Sequence, residues 1–116
     1  MELQVQRRGA VRVIRIAGEV DLYHSHRLKD TITELVSDEQ SPIVMDFEET
    51  TYLDSSAVGV LIYATSVCSK KRVPLRIANV HGGPLRVLEL TKLTSYLPLT
   101  ESCESALSEL SGDAEG

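Results

Sequence analysis

The chain is 116 residues long, enough for one domain with one core and too short for two of ordinary size. Its 42% hydrophobic and 25% charged residues are ordinary globular values, which argues against a disordered chain and a coiled coil. A formal net charge of −5, with no basic patch and no interleaved aromatics, argues against nucleic acid as a partner.

Aromatic residues make up only 4%, so the core must be built from Leu, Val and Ile. The longest apolar run, Ala57 to Ala64, falls far short of the ~20 residues a membrane span needs. Met1-Glu2-Leu3-Gln4 shows no secretion signal, and a cytoplasmic setting is expected. Cys68 and Cys103 stand far apart and outside any CxxC pair; two reduced cysteines are expected, with no metal and no cofactor.

In chain order, Leu3–Gln6 alternates like a strand with one wet face, and Arg7-Arg8-Gly9 is a turn signal. Ala10–Ala17 alternates again, with Ile14 and Arg15 breaking strict order; the two segments predict an antiparallel hairpin. Leu28, Ile32, Leu35 and Val36 mark one face of an amphipathic helix from about Ser25 to Ser37. Ile43–Phe47 reads as a strand buried on both faces. A helix then starts at Asp54, whose carboxylate suits an N-cap. It carries two apolar stripes and fades into Ser69-Lys70-Lys71-Arg72, cations that suit a helix C-terminus.

Pro74–Ala78 predicts another buried strand. Gly82-Gly83-Pro84 opens a helix with Leu85, Leu88 and Leu90 on its apolar side. Leu93–Leu99 reads as a loop with a short strand at most. Thr100 caps a last helix with Cys103, Leu107 and Leu110 inward, and Ser111–Gly116 reads as a disordered tail after a domain spanning 1–110. The order ββαβαβαβα belongs to the α/β class, with helices on a small mixed sheet.

The absences narrow the chemistry. The chain has no Walker phosphate loop, no GxGxxG after a strand and no GxSxG elbow. His24 and His26 are two apart and do not face one another on a helix. Ser55, His24 or His81, and Asp21 form a catalytic trio only on paper, since such a relay requires geometry. Asp54-Ser55-Ser56 is more informative. It places two hydroxyls beside free backbone N–H groups at a helix start, a position that favours a phosphate and also suits plain capping.

Ile43-Val44-Met45-Asp46-Phe47, five linking residues and Leu53-Asp54-Ser55-Ser56-Ala57-Val58-Gly59-Val60-Leu61 together resemble the signature of the STAS domain family. The stand-alone bacterial anti-sigma factor antagonists are the most similar branch. Gly18-Glu19-Val20-Asp21 resembles that family's acidic loop, and the resemblance spans about Leu3 to Leu110. It implies a sheet of four to five strands flanked by about four helices. It implies that Ser55, rather than Ser56, accepts a phosphoryl group, with Asp21, Asp54, Ser56 and Ala57 shaping the site. Asp21, Ser25, Ser55, Ser56 and Val58 would meet the partner.

The partner implied is an anti-sigma factor serine kinase with a histidine-kinase-like ATP fold. The unphosphorylated antagonist binds it and frees a sigma factor, phosphorylation breaks the complex, and a metal-dependent phosphatase resets it. Such a protein is a regulator and not an enzyme. Ala57 stands where the family usually has Gly; Ala is the better helix former, whereas Gly leaves more room for a partner's backbone. Two other roles fit the sequence: a STAS scaffold subunit of a signalling or lipid-transport complex, and a small hydrolase or phosphotransferase using Ser55.

Overall fold

The sheet is built outward from one strand. In the computed structural model, which describes residues 1–115, β1 (Glu2–Arg8) and β2 (Val11–Val20) form the expected hairpin, with Arg8 opposite Val11. The turn is Gly9-Ala10, and Gly9 takes a φ of +62°, as the first position of a type II′ turn requires. The chain continues through α1 (Ser25–Asp38), β3 (Ile43–Asp46), β4 (Thr50–Leu53) and α2 (Ser55–Lys71). It ends with β5 (Leu75–Ala78), α3 (Gly82–Leu90), β6 (Leu99–Thr100) and α4 (Cys103–Glu115).

The strand order is β1-β2-β3-β5-β6, with only the β1–β2 pair antiparallel along that path. β4 was not expected. It pairs in parallel with the far end of β2, beyond an irregularity at Gly18 and Glu19, where Gly18 has a φ of +87°. The buried Thr50 hydroxyl donates to the Ile16 carbonyl at 2.6 Å and fixes β4 to β2. Among the described residues, six strands and four helices form one mixed α/β domain, the expected class with more strands than the expected four to five.

Both faces of the sheet are covered. Ile14, Ile16, Ile43, Met45, Leu75 and Ile77 face one core with α1, α2 and α3. Val11, Val13, Val44 and Ala78 face the other, under Ala106 and Leu110 of α4. β2 is therefore covered on both faces over most of its length, despite its arginines. Arg12 is only 3% exposed, and its guanidinium donates to the carbonyls of Leu35, Glu39 and Ser41, closing the C-terminal end of α1.

Two helix details differ from expectation. Leu90 is exposed, because it lies at the last turn of α3, while Pro84 and Leu88 are buried. α4 is capped by Ser102 and not by Thr100, which is held in β6; the Ser102 hydroxyl accepts from the Ser105 N–H at 3.0 Å. Residues 111–115, assigned above to the tail, continue α4, and Gly116 lies outside the described residues. Among the described residues no helix is long and apolar enough to cross a membrane.

Candidate functional site

The parallel pair β2–β4 creates the site. Val20 lies beside Leu53, so Asp21 and Asp54, the next residues, leave neighbouring strand ends together. The Asp54 N–H donates to the Val20 carbonyl at 3.3 Å. Each strand then turns into a helix, β2 into α1 and β4 into α2. Two acidic side chains and two helix N-termini thus meet at one end of the sheet, where a parallel α/β sheet collects its functional groups.

Asp54 caps α2. Its Oδ1 accepts from the Ala57 N–H at 3.0 Å and from the Ser56 hydroxyl. Desolvation works to raise its carboxyl pKa. The Ser56 hydroxyl and the N–H groups of Ala57, Leu22 and Ser56 outweigh that and hold it below the ordinary carboxylate value. The Leu22 N–H belongs to the other loop, so the dipole of one strand end helps hold the carboxylate of the other in its charged form.

Asp21 organises its own loop. Its Oδ1 accepts from the Tyr23 N–H at 3.0 Å and meets His24 Nδ1 at 2.7 Å, while its carbonyl accepts from the N–H groups of His24 and Ser25.

The two serines differ. Ser56 is half-buried and bonded to Asp54. Ser55 is exposed, and its hydroxyl has no hydrogen-bond partner among the described residues. The first residue of a 17-residue helix thus presents an open nucleophile at the positive end of the helix dipole. The catalytic trio does not assemble: the His24 ring is paired with Asp21, the His81 ring meets the Glu48 carbonyl at 2.9 Å, and neither bonds Ser55.

Three expected site residues sit beneath this surface. Ser25 is 6% exposed and Val58 is 7% exposed, so neither offers a partner more than an edge. Ala57 is buried in the main core, and its methyl group occupies no space a partner would use. Helix phase is the reason: Gly59, four residues after Ser55, shares its outward face, whereas Ala57 and Val58 turn inward.

The site also holds residues that the motif did not flag. Leu22 is 69% and Tyr23 82% exposed, on the loop between Asp21 and His24. Their only signal in the sequence was negative: two apolar residues between a strand and a helix, outside any periodic stripe. Large exposed apolar groups beside a polar centre suit protein contact.

The STAS domain family model matches residues 2–106. This chain belongs to that family. Among curated relatives, this STAS domain is 22% identical over 111 residues to an anti-sigma F factor antagonist of Paenibacillus polymyxa, covering 95% of each chain. Among solved structures it superposes with a TM-score of 0.84 on an anti-sigma factor antagonist from Mycobacterium paratuberculosis, at 23% identity over 94% of this chain and 92% of that one. It also matches the Bacillus cell fate determinant SpoIIAA in its phosphorylated form, at a TM-score of 0.73 and 19% identity, over 94% of this chain and 99% of that one.

Proposed function

We propose that this STAS domain is an anti-sigma factor antagonist, a cytoplasmic regulator without catalytic activity, switched by phosphorylation of Ser55. The observation that carries this reading is the open Ser55 hydroxyl at the start of α2, between two acidic loops and beside exposed Leu22 and Tyr23. Relatives named as antagonists, and the match to SpoIIAA in its phosphorylated form, support it. The unphosphorylated surface binds an anti-sigma factor serine kinase through Asp21, Ser55, Ser56 and the Leu22–Tyr23 loop, freeing a sigma factor. Phosphorylation dissolves the complex, and a metal-dependent phosphatase restores it.

The physics of the switch is local. A phosphate adds about −1.5 to −2 charges at neutral pH. Each unit charge ~5 Å from a carboxylate costs roughly 0.8 kcal/mol in water and about 3 at an effective dielectric near 20. The N-terminus of α2 returns about 0.3–2 kcal/mol, comparable to the cost against one carboxylate at the water value, so in the free protein, where the phosphate stays hydrated, the fold is kept. Against a partner, the phosphate also loses its water. A loss of ~3 kcal/mol weakens binding about a hundredfold.

The test is phosphosite mapping of the chain isolated from its native cells, growing and stressed, followed by affinities of Ser55→Ala and Ser55→Asp for the kinase it co-purifies with. One phosphate on Ser55 that varies with condition, with Asp weakening binding and Ala keeping it, is expected. Absence of phosphate in every condition, or equal affinities of the two variants, refutes the switch.

A further inference from the structure

The outer edge of the sheet is a second exposed feature, on a strand that carries none of the residues around Ser55. β1 is an edge strand: among the described residues it pairs only with β2, and its second edge has no strand partner. It is seven residues long, with an unbroken register and no proline or bulge. Natural sheets guard such edges with proline, bulges or charged side chains, and β1 carries just the last of these, Glu2, Arg7 and Arg8. The opposite edge, β6, has only two residues. Beyond Leu3, every β1 residue is exposed, so neither helix layer overhangs the strand.

The pairing geometry says which backbone groups are free. A two-residue turn makes Arg8 and Val11 a hydrogen-bonded pair, and such pairs alternate along an antiparallel ladder. Arg8, Gln6, Gln4 and Glu2 therefore turn their backbone groups toward β2. Leu3, Val5 and Arg7 turn their N–H and C=O groups outward, unpaired.

We propose that β1 pairs antiparallel with β1 of a second copy of this chain, about a two-fold axis through Val5, giving a continuous sheet across a homodimer. In this register Val5 meets Val5, Leu3 meets Arg7 and Arg7 meets Leu3, so every outward backbone group of the strand is bonded. Sliding two residues either way pushes Arg7 or Leu3 off the end of the opposing strand.

The side chains select the same register. On the α4 face, Glu2 meets Arg8 of the second copy twice, and Gln4 meets Gln6 twice; these are opposite-charge and amide–amide cross-strand pairs. On the other face, the half-exposed Val5 covers its own copy, flanked by Leu3 and by the stem of Arg7. Arg7 donates to Glu39 of its own chain at 2.6 Å, which offsets its charge near the axis. Sequence complementarity with itself, read backwards, is what an isologous interface requires.

Sedimentation equilibrium of the full chain from about 1 μM to about 500 μM tests this, the range for an interface at the small end of the size scale. The wild type is expected to pass from monomer to dimer. Val5→Pro is expected to stay monomeric with an unchanged far-ultraviolet circular dichroism spectrum, because the Val5 N–H points away from β2 and the hairpin loses no bond. Glu2→Arg alone and Arg8→Glu alone are each expected to weaken self-association about tenfold, since both cross-strand pairs become repulsive. Mixed together, the two variants are expected to form a heterodimer at least as tight as the wild type, because opposite charges again meet at both ends. A wild type that stays monomeric throughout overturns the proposal. So does a dimer indifferent to the charge variants; these decide the matter even where Val5→Pro unfolds the chain.

Discussion

Replacing Asp54 by Ala tests how far one side chain supports both the fold and the site. The substitution deletes the acceptor for the Ala57 N–H, which lies 3.0 Å from Oδ1, and Ala57 itself is 1% exposed. Loss of an N-cap costs about 1 kcal/mol, within a range of roughly 0.5–2. Stranding a buried donor costs about 1–3 kcal/mol, and the two overlap because they concern the same bond. The carboxylate at the helix start contributes a further 0.3–1 kcal/mol or so. Together these give about 2 kcal/mol, or a fall in Tm of about 8 °C for a domain of this size.

Asp54→Asn keeps an acceptor oxygen and loses only the charge, so it should cost about 1 kcal/mol or less. The assay is urea unfolding followed by circular dichroism between pH 2 and pH 7. The folded carboxyl titrates below its ordinary value of 3.8, so its contribution is full above that value and is lost as pH falls through the lower folded one. The wild type and the Asn variant should therefore converge in acid. An Ala variant within about 0.5 kcal/mol of wild type, or an Asn variant as unstable as Ala, would refute the capping account.

Other outcomes follow from neighbouring features. Arg12→Met should cost about 3 kcal/mol in urea unfolding, because three carbonyls beyond and within the last turn of α1 lose a charged donor, and Arg12→Lys should not restore it, since one ammonium cannot span all three. Ala57→Gly should cost about 1 kcal/mol or more in thermal unfolding, through helix entropy and a lost buried methyl, without altering modification of Ser55. Burial pushes the Cys68 thiol up to about 11, against a smaller opposing pull from Arg12. At pH 8 only about a thousandth of it is thiolate, so a thiol reagent should leave Cys68 untouched in the native protein and modify it on unfolding, as peptide mapping would show.

The helices were legible because their apolar stripes are long and their caps carry chemical signatures. Asp54 announces α2, and Ser55 follows it as the first residue of that helix. β4 escaped notice because Thr50, Thr51 and Tyr52 look like a polar linker; two of its four residues are exposed, and its place depends on a bend in β2. Arg12 misled in the opposite sense. It marks a wet face by composition, yet its guanidinium is satisfied by carbonyls that sequence distance hides, more than twenty residues on. At the site, adjacency in sequence stood in for adjacency in space. Val58 lies in the motif and Ser25 just after the acidic loop, yet both are buried, whereas Leu22 and Tyr23, which match no motif, are exposed. Side-chain direction is set by helix phase and loop tethering, which only the folded chain supplies.

The Asp21–His24 loop is pinned from beneath, by the Asp21 carboxylate and by the Asp21 carbonyl, while its two largest side chains are exposed. Inheritance can therefore rewrite those two positions without eroding the core. On the proposed function, duplicated copies of this design need few mutational steps to stop cross-talking, with Ser55 and Asp54 fixed while the two exposed positions drift.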